Sequence, residues 1–306
     1  MSETVNQTAK FVGVEVSKTT FIAVCIDASG NLKDSFNVPT ESGRSTISQL
    51  ANFINETKNR FNGFDKIGVA VPGLLHRQTK RVAFSTNIPE HENVDFASEL
   101  ENSTGLKVTI ENDANAAAYG EFSLGAGRGS RDMFYVTLGA GIGGALIFGG
   151  EIWHGASGFA GEFGHITINS EAMRLEDVVS AENIVRRTRN RFHQDHTSSL
   201  SRFGEEKITL ADVMQAARNQ DDFAGMMLQR TGTYIGAAIA GVINLLNIER
   251  IVIGGETMQA GELILESVIR RARELSFAPS FRGTKIVAGE LGENAAAIGV
   301  ALLSAR

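Results

Sequence analysis

Asp113 is the residue whose type and place most directly invite chemistry. It stands in the run Glu111-Asn112-Asp113-Ala114-Asn115-Ala116-Ala117-Ala118-Tyr119-Gly120-Glu121. Residues 106–110 alternate like a half-buried strand, and Ala114, Ala116, Ala117 and Ala118 suit a tightly packed helix, so Asp113 falls at a strand-to-helix switch. In α/β proteins the carboxyl ends of strands face the ligand crevice, and a carboxylate at a helix start is favoured by the dipole and the free N–H groups. The same residues also read as a plain N-cap, Asn112 or Asp113 closing a helix. A second group is Gly139-Ala140-Gly141-Ile142-Gly143-Gly144, between the apolar runs 133–138 and 145–148. Its spacing matches a dinucleotide fingerprint, but that fingerprint needs a following helix, and residues 145–148 are strand-like. The remaining readings are a hairpin whose N–H groups cradle phosphate, or a purely structural glycine turn. Third, Glu162 and His165 lie in the glycine-spaced residues 155–165, which cannot form a stable helix. They are presented from irregular backbone, where polar groups either meet ligands or are simply solvated.

Composition bounds the function classes. A chain of 306 residues suggests about two domains with a sizeable core. A net charge of -6 argues against nucleic acid as the main partner. The single Cys25 excludes an internal disulfide and any multi-cysteine zinc site. No apolar run reaches membrane-spanning length and the first ten residues are polar, so no membrane partner is expected and a cytoplasmic location is.

The elements that must position these groups follow from periodicity. Strands are predicted at residues 11–16, 21–26 and 32–38, and a helix over 45–61, where Ile47, Leu50, Phe53 and Ile54 fall on one face. Residues 67–71 form a short buried strand broken by Pro72-Gly73. Two strand pairs joined at a polar or glycine-rich turn, at 12–25 and 134–148, form a weak internal repeat and hint at two related halves. Further on, residues 210–246 read as one long helical pattern, with Met214, Met226, Met227 and Leu228 as core or dimer contacts and Ala237-Ala238-Ile239-Ala240-Gly241 permitting close helix packing. The basic run over 186–202 reads as a solvated helix face. A strand at 251–253 and helices at 264–275 and 295–303 complete the chain.

Taken together, Glu111–Asn115, the 137–144 loop and Gly161–His165, in that order and spacing, resemble the ROK family of sugar kinases and sugar-responsive repressors, within the actin-like ATPase group. The resemblance covers nearly the whole chain. Residues 12–27 align with the family's first phosphate hairpin, Pro72-Gly73 with its Pro-Gly turn, Asn87-Ile88-Pro89 with its sugar-contacting stretch, residues 251–255 with its adenosine loop and Gly292–Ala295 with its closing helix. It implies a two-domain α/β actin-like ATPase (ribonuclease H-like) fold with an interdomain cleft. The small domain would take residues 1–113 plus 291–306, and the large one residues 114–290, with nucleotide-binding and dimerisation elements.

The implied activity is ATP- and Mg²⁺-dependent phosphorylation of a hexose, glucose first, by a homodimer. Phosphoryl transfer is mostly positioning and charge neutralisation, with a carboxylate taking the hydroxyl proton, and Asp113 would be that base. The resemblance assigns Gly73, Asn87, Asn112, Asp113, Glu162, His165 and Glu176 to the sugar. It assigns Thr137, Gly139, Gly141 and Gly143 to the triphosphate and Gly254 and Gly255 to the nucleoside. Two departures stand out. Family kinases carry Asp-x-Gly-Gly-Thr in the first hairpin, where this chain has Glu15-Val16-Ser17-Lys18-Thr19: Glu15 and Thr19 keep the chemistry, while Ser17 and Lys18 replace both glycines and Lys18 adds positive charge. Residues 166–176 contain no cysteine, so the family's zinc loop is absent and no structural zinc is expected. Glucose, N-acetylmannosamine, fructose and allose kinases share this constellation. A sugar-binding protein without catalysis is the alternative, motivated by Ser17 and Lys18. A repressor is disfavoured because only about ten residues precede the first strand, too few for a helix-turn-helix.

Overall fold

The computed structural model describes residues 10–41, 44–85, 88–191 and 197–306. In chain order it begins with strands β1 (Lys10–Val16), β2 (Thr20–Asp27) and β3 (Leu32–Pro39), helix α1 (Thr46–Phe61) and strand β4 (Lys66–Val71). A short hairpin, β5 (Leu74–Leu75) and β6 (Val82–Phe84), leads to helix α2 (Phe96–Thr104), strand β7 (Lys107–Asn112) and helix α3 (Asp113–Leu124). The second half opens with β8 (Met133–Leu138), β9 (Ile142–Phe148) and β10 (Glu151–Ile152), followed by α4 (Glu176–Val179), α5 (Ala181–Arg191), α6 (Leu210–Arg218) and α7 (Asp222–Leu246). It closes with β11 (Arg250–Gly254), α8 (Glu262–Leu275), α9 (Ala278–Gly283), β12 (Lys285–Ala288) and α10 (Ala295–Ser304).

The internal repeat is topological. One sheet is ordered β3-β2-β1-β4-β7 and the other β10-β9-β8-β11-β12, so in each half the third, second, first, fourth and fifth strands lie side by side. The outer pairs β1–β2, β2–β3 and β9–β10 are antiparallel, whereas β1–β4, β4–β7, β8–β11 and β11–β12 are parallel. Parallel strands need covering on both faces, which is why β4 reads as an unbroken apolar run and is buried from Ile67 to Val71.

By contacts the chain divides into two compact units. One takes residues up to Gly129, Ala145–Ala160 and Glu293–Arg306; the other takes Ser130–Gly144 and Gly161–Gly292. This puts α3 and residues 145–160 with the first unit, whereas the sequence reading places them in the large domain. The reason for α3 is packing. Gly120 of α3 and Gly299 of α10 face each other so closely that a Cβ on Gly299 would overlap the carbonyl oxygen of Ala116. The core of this unit is built from Val12, Val14, Phe21, Leu50, Phe53, Ile54, Ile67, Val69, Phe96 and Leu100. Each such large side chain contributes about 1.5–3 kcal/mol on burial.

Several expectations are corrected here. The long helix over 210–246 is two helices. Thr209 and Asp212 form a capping box on α6, Gln220 takes a left-handed φ of 64°, and the Asp221 side chain accepts from Ala224 N to start α7. Within the run 237–241, Ala238, Ile239 and Ala240 are buried but Gly241 is exposed, with nothing near its missing Cβ, while Gly232 and Gly236 are the glycines at which α7 meets α8. The basic run is not one solvated face: Arg187 is half-buried and donates to Thr231 Oγ1 at 2.5 Å, and Arg189 donates to the carbonyls of Glu206 and Ile208 at 2.8 and 2.7 Å. The strand after the glycine loop begins at Ile142, so Gly143 and Gly144 lie inside β9. No helix follows that loop directly, which disposes of the dinucleotide-fold fingerprint. Among the described residues, no helix is long and apolar enough to cross a membrane.

Candidate active site

In the first unit, β7 ends at Asn112 and α3 starts at Asp113 without an intervening loop. The switch is held by side chains. Asn112 Oδ1 accepts from Asn115 N at 3.0 Å, an N-cap on α3. Its Nδ2 donates to the carbonyl oxygen of Gly73 and to Asp113 Oδ1, each at 3.0 Å. Asp113 Oδ1 also accepts from Ala114 N at 2.8 Å. So Asn112 is the cap, and Asp113 is a half-buried carboxylate oriented at the positive end of α3. Gly73, Asn112 and Asp113 are brought together; Asn87 lies outside the described residues.

Glu15, half-buried on β1, shares the neighbourhood of Asp113. Burial first, then the negative charges of Asp113 and Glu293, push its pKa up to about 8. Past it, Ser17 ties the β1–β2 turn: its Oγ donates to the Thr20 carbonyl at 2.9 Å and accepts from Thr20 N at 3.0 Å. Neither Ser17 nor Lys18 is among the non-glycine residues with positive φ, so the backbone there does not need the glycines that the family uses. Lys18 and Thr19 are exposed.

The second unit gathers the other candidates. Around Gly139 there is room for a close approach: a Cβ built there would meet no neighbour nearer than 3.8 Å. The same space at Gly141 is bounded by Glu176 Oε2, 3.3 Å from a built Cβ. That oxygen accepts from Ile142 N at 3.0 Å, so Glu176, at the first turn of α4, braces the glycine loop. Thr137 pairs in register with Gly254, and Gly255, at φ 90°, passes so close to Leu138 that a Cβ would collide with its backbone. The loop after β8 and the loop after β11 thus lie together. Glu162 reaches solvent, yet the atoms crowding it raise its pKa; His165 pulls it down and Glu176 adds to the rise. His165 sits in a short 3₁₀ turn, with Arg174 Nη1 at 3.5 Å from its Nδ1.

Two residues of these surroundings escape the sequence reading. Arg174 stands beside His165, and His154 pairs with Glu111 at 2.8 Å. Nothing local marks either; each becomes visible only when distant segments meet. Among the described residues, no group of three or more His, Cys, Asp and Glu is placed to hold a metal ion.

Comparison with known proteins agrees with this architecture. The sequence profile of the ROK family matches residues 11–306. A glucokinase of Thermotoga maritima is 33% identical over 306 residues, covering 95% of this chain and 96% of that protein. A glucokinase of Halalkalibacterium halodurans is 32% identical over 307 residues, covering 94% and 93%. The crystal structure of a ROK family glucokinase from Streptomyces griseus, in complex with glucose and AMPPNP, superposes with a TM-score of 0.86 at 26% identity, covering 97% of this chain and 99% of that one. With a profile spanning nearly its whole length, similar proteins above thirty per cent identity and the duplicated sheet, the chain belongs to the ROK family and has its two-domain actin-like sugar kinase fold.

Proposed function

We propose that the chain is an ATP-dependent sugar kinase that moves the γ-phosphoryl group of Mg-ATP to the primary hydroxyl of a hexose, with glucose the first candidate. The observation that carries this reading is the Asp113 carboxylate, held by Asn112 and the start of α3 at the end of a parallel strand. The glucokinases it resembles support the choice of reaction and sugar.

In this mechanism Asp113 takes the proton of the attacking hydroxyl. The sugar oxygen bonds to the γ-phosphorus as the bond to the β–γ bridging oxygen breaks, and ADP leaves with the displaced charge. Asn112, Glu162, His165 and Asn87 supply the directional hydrogen bonds that sugar hydroxyls need, with Gly73 shaping the turn beside Asn112. Glu176 is assigned to bracing the glycine loop first and to the sugar second, because one of its oxygens already accepts from Ile142 N. The loop Thr137–Gly143 takes the phosphates and Gly254–Gly255 the nucleoside. Mg²⁺ would come with ATP, its charge helping to neutralise the phosphates, and Glu15 would offer it a single carboxylate. A cation there would favour the ionised form that burial opposes.

A panel of hexoses with Mg-ATP in a coupled ADP-release assay tests the proposal, and the expected result is turnover on glucose. No turnover on any sugar, with calorimetry showing sugar binding but no Mg-ATP binding at millimolar concentration, would make the chain a sugar-binding protein. The first hairpin gives a separate expectation. Replacing Ser17 and Lys18 together by Gly removes the turn's hydroxyl tie and a positive charge beside the phosphates. The KM for ATP should rise by about threefold to tenfold while that for sugar changes by less than about twofold. Equal changes in both constants would remove Ser17 and Lys18 from the nucleotide side.

A further inference from the structure

Buried Glu111 and half-buried His154 form an acid–imidazole pair immediately before the Asn112-Asp113 turn, and the mechanism above uses neither. Glu111 is only 8% exposed. A carboxylate that deep is costly unless a partner and hydrogen bonds compensate. Both are present: Oε2 meets His154 Nε2 at 2.8 Å, and Oε1 accepts from Asn112 N at 2.9 Å and from Asn115 Nδ2 at 3.0 Å. Burial pushes the carboxyl's pKa up, but His154, then Asn115 and the Asn112 N–H, outweigh it and leave Glu111 below the ordinary value.

The donors to Glu111 are the residues that hold Asp113. Asn115 N caps onto Asn112 Oδ1, and Asn112 Nδ2 in turn donates to Asp113 Oδ1. An unbroken chain of hydrogen bonds therefore runs from the His154 ring through Glu111 and Asn112 to the proposed base. His154 itself is anchored in the segment leaving β10, where Trp153 N donates to the Leu146 carbonyl at 2.8 Å and Ala160 N to the His154 carbonyl at 3.2 Å. A histidine that served only the core would need no tie to the one turn that carries the chemistry. We propose that His154 is a positioning residue for phosphoryl transfer, fixing the Asn112-Asp113 turn through Glu111, an assignment that rests on the kinase reading above.

The test combines kinetics with an activity-free readout. His154→Phe keeps a ring but removes the donor. It is expected to lower kcat by about tenfold to a hundredfold with the KM for sugar and for ATP within about threefold. Amide hydrogen exchange at residues 112–115 should quicken by about tenfold or more, with the rest of the first unit unchanged. His154→Gln, whose amide can donate to Glu111 Oε2, should recover both. If His154→Phe does not fold, His154→Asn, which keeps a donor too short to reach Glu111, carries the same expectations. A folded variant with unchanged kcat and unchanged exchange overturns the proposal. So does exchange that rises evenly over the unit while kcat merely follows the folded fraction, since that is a structural histidine. A wild-type protein that phosphorylates no sugar overturns the kinase reading and the catalytic part of this one; the exchange pattern then decides by itself whether His154 holds the turn.

Discussion

Asp113→Asn is expected to lower turnover by a factor on the order of 10² or more, while sugar affinity measured by calorimetry changes little. The substitution is informative because it isolates charge from shape. Oδ1 of the native carboxylate accepts from Asn112 Nδ2 and Ala114 N, and the amide oxygen of Asn can accept from both. The turn should therefore persist. What is lost is the oxygen basicity that takes the hydroxyl proton, together with a charge at the start of α3 worth about 0.3–1 kcal/mol of helix stability. A melting temperature within a few degrees of wild type beside a large fall in turnover is thus the expected pattern. Turnover within about threefold of wild type would remove Asp113 as the base and return it to the plain role of a helix-start carboxylate.

The largest effect on stability should come from Gly299→Val. A Cβ on Gly299 would overlap the carbonyl oxygen of Ala116 and come within 2.8 Å of Gly120 N, so α3 and α10 must separate to admit it. Overpacking of this kind typically costs 1–3 kcal/mol when side chains can give way; here the obstacle is backbone, and we expect about 3 kcal/mol or more. That corresponds to roughly 10 °C in the unfolding midpoint of the unit. Because α3 begins at Asp113, turnover should fall with it. Gly241→Ala is the counter-experiment. The position is helical, exposed and without neighbours within 4 Å, so an added methyl there should stabilise by about 0.5–1 kcal/mol. Circular dichroism melts of the two variants check both signs, and a wild-type midpoint for Gly299→Val would refute the close packing of the two helices.

These two glycines show where local reading stops. Gly241 sits in a run of small residues that looks made for helix contact, yet it faces open space. Gly299 sits in an equally small-residue run, residues 295–301, and there the backbone of another helix does lie against it. A glycine's cost depends on what stands opposite its missing Cβ, and that is set by chain segments far away in sequence. Arg187 makes the same point: it sits in a basic stretch of α5, but the Thr231 hydroxyl and the Tyr234 ring half-bury it.

By itself the sequence determined the early strands, the first helix and the repeat of two halves, because side-chain periodicity and turn chemistry act over a few residues; the break between α6 and α7 and the short elements such as α2, α9 and β12 it did not mark. Predicted strands at 11–16, 21–26 and 67–71 and the helix over 45–61 lie within about one residue of β1, β2, β4 and α1. It also placed Asn112-Asp113 at the strand-to-helix switch, since the change of period falls there. Only the tertiary structure decided the rest. It made Asn112 rather than Asp113 the cap, tied Glu176 to the glycine loop and paired His154 with Glu111 across 43 residues. Those outcomes depend on which buried donor finds which acceptor, and a buried polar group is satisfied by whatever the fold brings beside it, however distant in the chain.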